Sequence, residues 1–124
     1  MKKAISTTSA PGAIGPYSQA IDAGAFVYAS GQIPLDPATG TMPEGIKAQT
    51  AQSLANVKAI LAEAGLTMDN VVKTTVFLAD MSLFAEMNEV YATAFNAPFP
   101  ARSAVAVKEI PKGALVEIEV IAIR

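Results

Sequence analysis

This chain has no cysteine and no histidine. The two absences remove thiol nucleophiles, disulfides, Cys/His zinc sites and every Ser-His-Asp triad. Carboxylates alone can bind hard cations, but no clustered Asp/Glu motif is present to build such a site. Charge is scarce too: 16% of the residues are Asp, Glu, Lys or Arg, against about 25% in an average soluble domain. The net charge of −2 comes with no basic run or stripe that would mark a nucleic-acid footprint. No apolar stretch approaches the roughly 20 residues of a membrane span. Met1-Lys2-Lys3 is a basic start with no apolar run behind it, so no secretory signal is expected and the cytoplasm is the expected location. Any catalysis is left to carboxylates, hydroxyls, lysine, arginine, backbone groups and water, with neither a metal nor another cofactor expected.

What the chain has in excess is apolar surface. Hydrophobic residues are 52% of 124. One domain of this length buries roughly two-thirds of its unfolded surface. Part of the apolar excess is therefore expected to meet another subunit.

No repeat, linker or low-complexity segment divides the chain. Residues 17–23 and 25–30 read as a hairpin, with Asp22-Ala23-Gly24 as the turn. Asp36-Pro37-Ala38-Thr39-Gly40 is a loop of turn formers. Thr41-Met42-Pro43-Glu44 has the form of a capping box, with Thr41 as N-cap. A helix is expected next, with Leu54, Val57, Leu61 and Ala64 on one face and Gly65 closing it. Val71 to Leu78 is β-branched and aromatic, hence a strand. Asp80 or Ser82 caps a second helix that carries Phe84, Met87, Tyr91 and Phe95 on one face, and Asn96-Ala97-Pro98 ends it. Two last strands, about 101–108 and 114–123, are joined by Pro111-Lys112-Gly113. The order is ββαβαββ, an α+β sandwich with both helices on one face of a mixed sheet. The other face must then be polar or be covered by neighbouring subunits.

The last strand sharpens that expectation. Ala114, Val116, Ile118, Val120 and Ala122 form one unbroken apolar face. Glu117 and Glu119 share the other face with Leu115, Ile121 and Ile123, the two carboxylates roughly 7 Å apart. Charges set among apolar residues are costly unless paired or used. Either glutamate is a candidate acid/base group, and the spacing does not choose between them. Just upstream, Pro98-Phe99-Pro100-Ala101-Arg102-Ser103 introduces the only arginine besides Arg124. Arginine is well shaped to hold a carboxylate through two parallel hydrogen bonds. A structural ion pair with Glu117 or Glu119 is the plainer alternative.

The remaining candidates carry weaker signals. Gly15-Pro16-Tyr17 is a rigid turn that aims a phenol, although tyrosines more often serve packing. Ser30-Gly31 closes the hairpin, and the glycine allows a backbone to approach a ligand closely. Asn88 interrupts an otherwise apolar helix face, either to cap a loop or to meet a ligand. Lys73 would be a Schiff-base amine only if desolvated, and its neighbours Thr74 and Thr75 read as a half-exposed strand.

Taken together, Ala10-Pro11-Gly12-Ala13-Ile14-Gly15-Pro16-Tyr17-Ser18-Gln19-Ala20, Ser30-Gly31-Gln32-Ile33-Pro34, Val72-Lys73-Thr74-Thr75-Val76-Phe77, Pro100-Ala101-Arg102-Ser103 and Val116-Glu117-Ile118-Glu119 closely resemble the RidA (YjgF) family of reactive intermediate deaminases. The likeness runs from about residue 4 to the C-terminus. It implies a chorismate-mutase-like fold and a homotrimer with pockets between subunits. It also implies hydrolysis of 2-imino acids, which arise from enamines, to 2-keto acids and ammonia. By matching position, Arg102 would bind the substrate carboxylate and Glu117 would hold and activate water. The carbonyl of Ala104 would contact that water, and Tyr17, Ser30 and Gly31 would line the pocket. Many relatives carry cysteine where this chain has Ala104; the backbone carbonyl survives the change, but thiol-dependent regulation would not. The segment Asn96-Ala97-Pro98-Phe99 is shorter than in some relatives, which bears on the pocket mouth and the substrate range.

Other classes stay in view. A non-catalytic regulator or chaperone would use the apolar surface to bind proteins. An RNA-cleaving activity is poorly served by a chain without histidine or a basic stripe. A chorismate mutase would be expected to need more cationic groups for its dicarboxylate than Arg102 alone.

Overall fold

The structure, a computed structural model, describes all 124 residues. Its elements are β1 (Lys3–Ile5), β2 (Ala20–Asp22), β3 (Phe26–Gln32), α1 (Ile46–Glu63), β4 (Val71–Leu78), α2 (Phe84–Ala94), β5 (Ala101–Ala106) and β6 (Val116–Ile123). The six strands form one sheet in the order β1-β2-β3-β6-β4-β5. All neighbours are antiparallel except β4 and β5. That parallel pair follows from the α2 crossover between them.

The expected α+β sheet with two helices is present, with one strand more than ββαβαββ. The extra element is β1, three residues paired to β2 at the sheet edge. Its local pattern is too short to read. The flanking strands are also shorter than expected: β2 begins at Ala20, β5 stops at Ala106 and β6 starts at Val116.

Strand periodicity decides what each face does. On β6, Val116, Ile118, Val120 and Ala122 are buried while Glu119 and Ile123 are exposed. On β4, Thr74, Val76 and Leu78 are fully buried. Helix α1 covers this face with Leu54, Val57, Ile60 and Leu61, and α2 adds Met87 and Tyr91. The opposite face has no helix. There Phe26 and Tyr28 of β3 stand beside Ile123 and Ile121 of β6 and remain exposed or half-exposed. No helix is long and apolar enough to cross a membrane.

The start of α1 corrects the sequence reading. Thr41 and Glu44 do not cap it; Gly45 does, at φ 86°, with no side-chain hydrogen bond. Thr41 belongs to the preceding loop, where its carbonyl accepts from Asp36 N at 2.8 Å and its hydroxyl meets Thr39 Oγ1 at 2.8 Å. Only glycine takes φ near 90° without strain, so it resets the chain direction after the Thr41 loop. A capping box does occur, but at Thr67 and Asn70 ahead of β4: Asn70 Oδ1 accepts from Thr67 N at 2.9 Å, and Thr67 Oγ1 accepts from Asp69 N at 3.3 Å. At the other end of α1, Gly65 adopts φ 77° and Leu66 N donates to Leu61 O at 2.8 Å. Such a left-handed closure is the expected use of that glycine. Neither Asp80 nor Ser82 caps α2, which starts from Leu83 with no side-chain hydrogen bond; Asp80 caps the 3-10 turn Met81–Leu83 just ahead of it, its Oδ1 accepting from Ser82 N at 2.8 Å.

Candidate functional site

The predicted residues fall into two groups. The first is built on α2 and the edge strand β5. Arg102 pairs in register with Thr74 of β4, so its side chain takes the helix-covered face of the sheet. There an Nη atom of Arg102 donates to Asn88 Oδ1 at 2.7 Å. The guanidinium carbon lies 4.7 Å from the Tyr91 ring centroid and 5.4 Å from that of Phe84. Arg102, Asn88, Tyr91, Ala92, Phe99 and Pro100 line an open cavity of about 400 Å³. Ala104 follows on the same face, opposite the buried Val76.

The second group lies around β3 and β6. The ladder between these strands is interrupted between Ala29 and Gln32, a bulge that leaves Ser30 and Gly31 without partners on β6. Bulges of this kind re-aim a strand and recur beside functional groups. Ser30 is turned toward the chain ahead of β2: its hydroxyl donates to Ser18 O at 2.6 Å, and its N–H donates to Gln19 O at 2.9 Å. Gly31 faces Glu117 so closely that a side chain there would collide with it. A Cβ at Gly31 would come within 2.8 Å of Glu117 Cδ and closer still to a carboxylate oxygen. Tyr17 and Gly31 share a cavity of about 320 Å³ with Ile14, Ile33 and Lys112.

Glu117 and Glu119 differ as neighbours on one face can. Glu117 is half-buried and Glu119 exposed. Burial first, and then the charge of Glu119, push the Glu117 carboxyl above its ordinary value. A carboxylate moved toward neutrality is better matched to proton transfer near neutral pH.

Within one chain the two groups occupy opposite faces of the sheet. Arg102 shares the face of Thr74, whereas Glu117 sits opposite Phe77 on the uncovered side. The plainer alternative, a structural ion pair of Arg102 with Glu117 or Glu119, is therefore not formed within one chain. The chain's ion pairs are Lys47 with Glu89 and Arg124 with Asp22. Lys73 also lies on the uncovered face, where it donates to Ser103 Oγ at 3.1 Å and lines neither cavity.

Sequence reasoning missed Tyr91, Phe84 and Thr74 as neighbours of Arg102. It placed the first two on an apolar helix face and the third on a strand. The signal was present: Phe84, Asn88 and Tyr91 are spaced four and three apart and so share one side of α2.

Comparison with known proteins gives the family. A family profile described as Endoribonuclease L-PSP matches residues 7–124. The chain is 56% identical over 123 residues to a RutC family protein of Pyrococcus horikoshii, covering 98% of each chain. It is 53% identical over 127 residues to the 2-iminobutanoate/2-iminopropanoate deaminase of Salmonella typhimurium, covering 100% of this chain and 99% of that one. Among solved structures, Escherichia coli TdcF with bound serine superposes with a TM-score of 0.96 at 49% identity over 98% of both chains. A mixed six-stranded sheet with two helices, matched along nearly its whole length, defines a small α+β protein of the L-PSP type. The chain belongs to the RidA (YjgF) family.

Proposed function

We propose that the protein hydrolyses 2-imino acids, such as 2-iminopropanoate and 2-iminobutanoate, to 2-keto acids and ammonia. The observation that carries this reading is the state of Arg102. Its guanidinium is held by an amide oxygen and two ring faces with no carboxylate of its own chain in contact, so no intrachain partner competes with a small anion. The deaminase name of the Salmonella relative supports the same chemistry. The bound serine of TdcF, itself a small carboxylate, is consistent with it.

In this reading Arg102 binds the substrate carboxylate and fixes the imine carbon. Glu117 accepts a proton from water as the water oxygen adds to the C=N carbon. The same carboxyl then returns that proton to the nitrogen, which completes the carbinolamine; it next carries the proton of the new hydroxyl to the amine, so that the C–N bond breaks and ammonia leaves as the carbonyl forms. The imine is already electrophilic, so orientation and one proton relay suffice, the relay contributing roughly 10²–10⁴-fold. No metal or redox cofactor takes part in these steps. The Ala104 carbonyl helps hold the water, Tyr17, Ser30 and Gly31 wall the pocket, and Asn88 steadies Arg102 from behind.

Because the two clusters face opposite sides of one sheet, one substrate reaches both only across a contact between chains. That need, with the exposed apolar residues of the open face, supports a homotrimer with a pocket at each subunit boundary. An RNA-cleaving role, which the family description carries, has less support in a chain of net charge −2 without histidine. A regulator or chaperone would use the same apolar face but would leave Arg102 without a task.

The deciding assay generates each imine from serine or threonine with a dehydratase and follows the keto acid and ammonia released. The wild-type protein should accelerate release, and Arg102→Ala should abolish the acceleration while the oligomer persists. Full activity of Arg102→Ala would reject the clamp; a wild-type oligomer without any effect on imine lifetime would favour the binding-protein reading.

A further inference from the structure

Within its own chain Arg102 is held by a platform rather than by a counter-charge. An amide oxygen and an aromatic face both attract a cation while leaving its net charge intact. A structural carboxylate in the same place would compete with an incoming one.

The platform is itself tied down. Tyr91 is 5% exposed, and its ring packs against Phe95 at 4.8 Å between centroids. Its hydroxyl and Thr74 Oγ1 form a buried hydrogen bond of 2.8 Å. Thr74 is fully buried, and it is also the residue that faces Arg102 in the β4–β5 register. One threonine thus fixes two things: the tyrosine through a hydroxyl and the arginine backbone through the strand pairing. The three residues close a ring of contacts across β4, α2 and β5.

From this geometry we infer that Tyr91 and Thr74 are positioning residues that set the affinity of the site for a small carboxylate. Both act through Arg102, and the inference rests on its reading as the carboxylate clamp. A guanidinium already laid on its ring pays little to be ordered by a ligand. Without the ring, binding must freeze a rotamer-rich side chain, which weakens affinity by a factor of about ten.

The test is calorimetric titration of the intact oligomer with 2-oxobutanoate, beside steady-state kinetics on the matching imine. Tyr91→Leu should raise Kd and KM about tenfold and leave kcat within about threefold. Nitrogen-15 NMR gives a second readout, since the Arg102 side-chain N–H resonance should be displaced by the ring current. That displacement should persist in Tyr91→Phe and vanish in Tyr91→Leu. Should Tyr91→Leu fail to fold, Thr74→Val alone removes the buried partner that fixes the ring and should raise Kd severalfold. An unchanged Kd in the folded variant, or a loss confined to kcat, would overturn the inference while leaving the clamp standing. Binding that survives Arg102→Ala would instead overturn the clamp itself.

Discussion

The two halves of the candidate site are held by opposite means. Around Arg102 the supports are side chains: a ring beneath the guanidinium, an amide against one edge and a buried hydroxyl pair behind. Around Glu117 the support is backbone: a bulge and a glycine with no side chain to obstruct the carboxylate. A cation tolerates aromatic surroundings because ring faces attract it. A carboxylate gains nothing from them, and here it gains space and partial burial. The cationic half should therefore be sensitive to side-chain truncation and the acidic half to side-chain addition.

The largest expected effect comes from removing either charged group. Glu117→Gln should lower kcat by roughly 10²–10⁴-fold, the usual worth of a general acid/base. Arg102→Ala should be comparably inactive. If the pocket joins one chain's Arg102 to a neighbour's Glu117, the two dead variants should complement each other. In a random equal mixture half the arginines and half the glutamates are competent, so roughly a quarter of the sites recover. Co-refolded subunits with no recovered activity would place both groups in one chain's pocket, against the opposite-face geometry.

Gly31→Ala comes next. The added methyl would collide with Glu117, and displacing a catalytic group by about 1 Å can cost about 10²-fold in rate. Thermal unfolding should change little because Gly31 lies in a bulge and its φ is not left-handed. Near-wild-type kcat in a folded Gly31→Ala protein would mean that the position of Glu117 is not critical.

Thr74→Val probes the other half through stability. It leaves the buried Tyr91 hydroxyl without its partner, a loss of about 1–3 kcal/mol. Adding Tyr91→Phe removes the orphaned hydroxyl and should restore part of it. Chemical denaturation of the single and double variants measures the difference; additive losses would show that the two hydroxyls do not act as a pair.

The same contrast explains what the sequence disclosed. Period-two burial on β6 separated Val116, Ile118, Val120 and Ala122 from Glu117 and Glu119 before any coordinates, because face alternation is a local property. Arg102 stood out for being nearly alone of its kind in an apolar context. The platform beneath it was hidden, since Tyr91 and Thr74 meet only after α2 folds back over β4, and a buried tyrosine reads as packing until its partner is seen. The start of α1 misled for a related reason. Thr41 and Glu44 have cap chemistry, but φ at Gly45 decides where the helix begins. Strand β1 escaped because three residues at an edge draw their order from β2.

The smallest effect separates the two glutamates. The Glu117 carboxyl lies above its ordinary value because of burial and, second, because of the Glu119 charge. A raised carboxyl binds its proton more tightly in the folded state than in the unfolded one. Stability is therefore gained as pH falls through the raised value, and the ionised form above it weighs against the fold. Activity runs the other way if Glu117 acts first as a base: the acidic limb of the kcat/KM profile should follow its ionisation. Glu119→Gln removes one of the two causes and leaves burial untouched. The acidic limb should then move to lower pH by a modest amount, with the plateau rate nearly unchanged because Glu119 is exposed. A limb that stays fixed in Glu119→Gln would detach the profile from Glu117, and with it the assignment of this carboxylate, rather than its exposed neighbour, as the group that handles the proton.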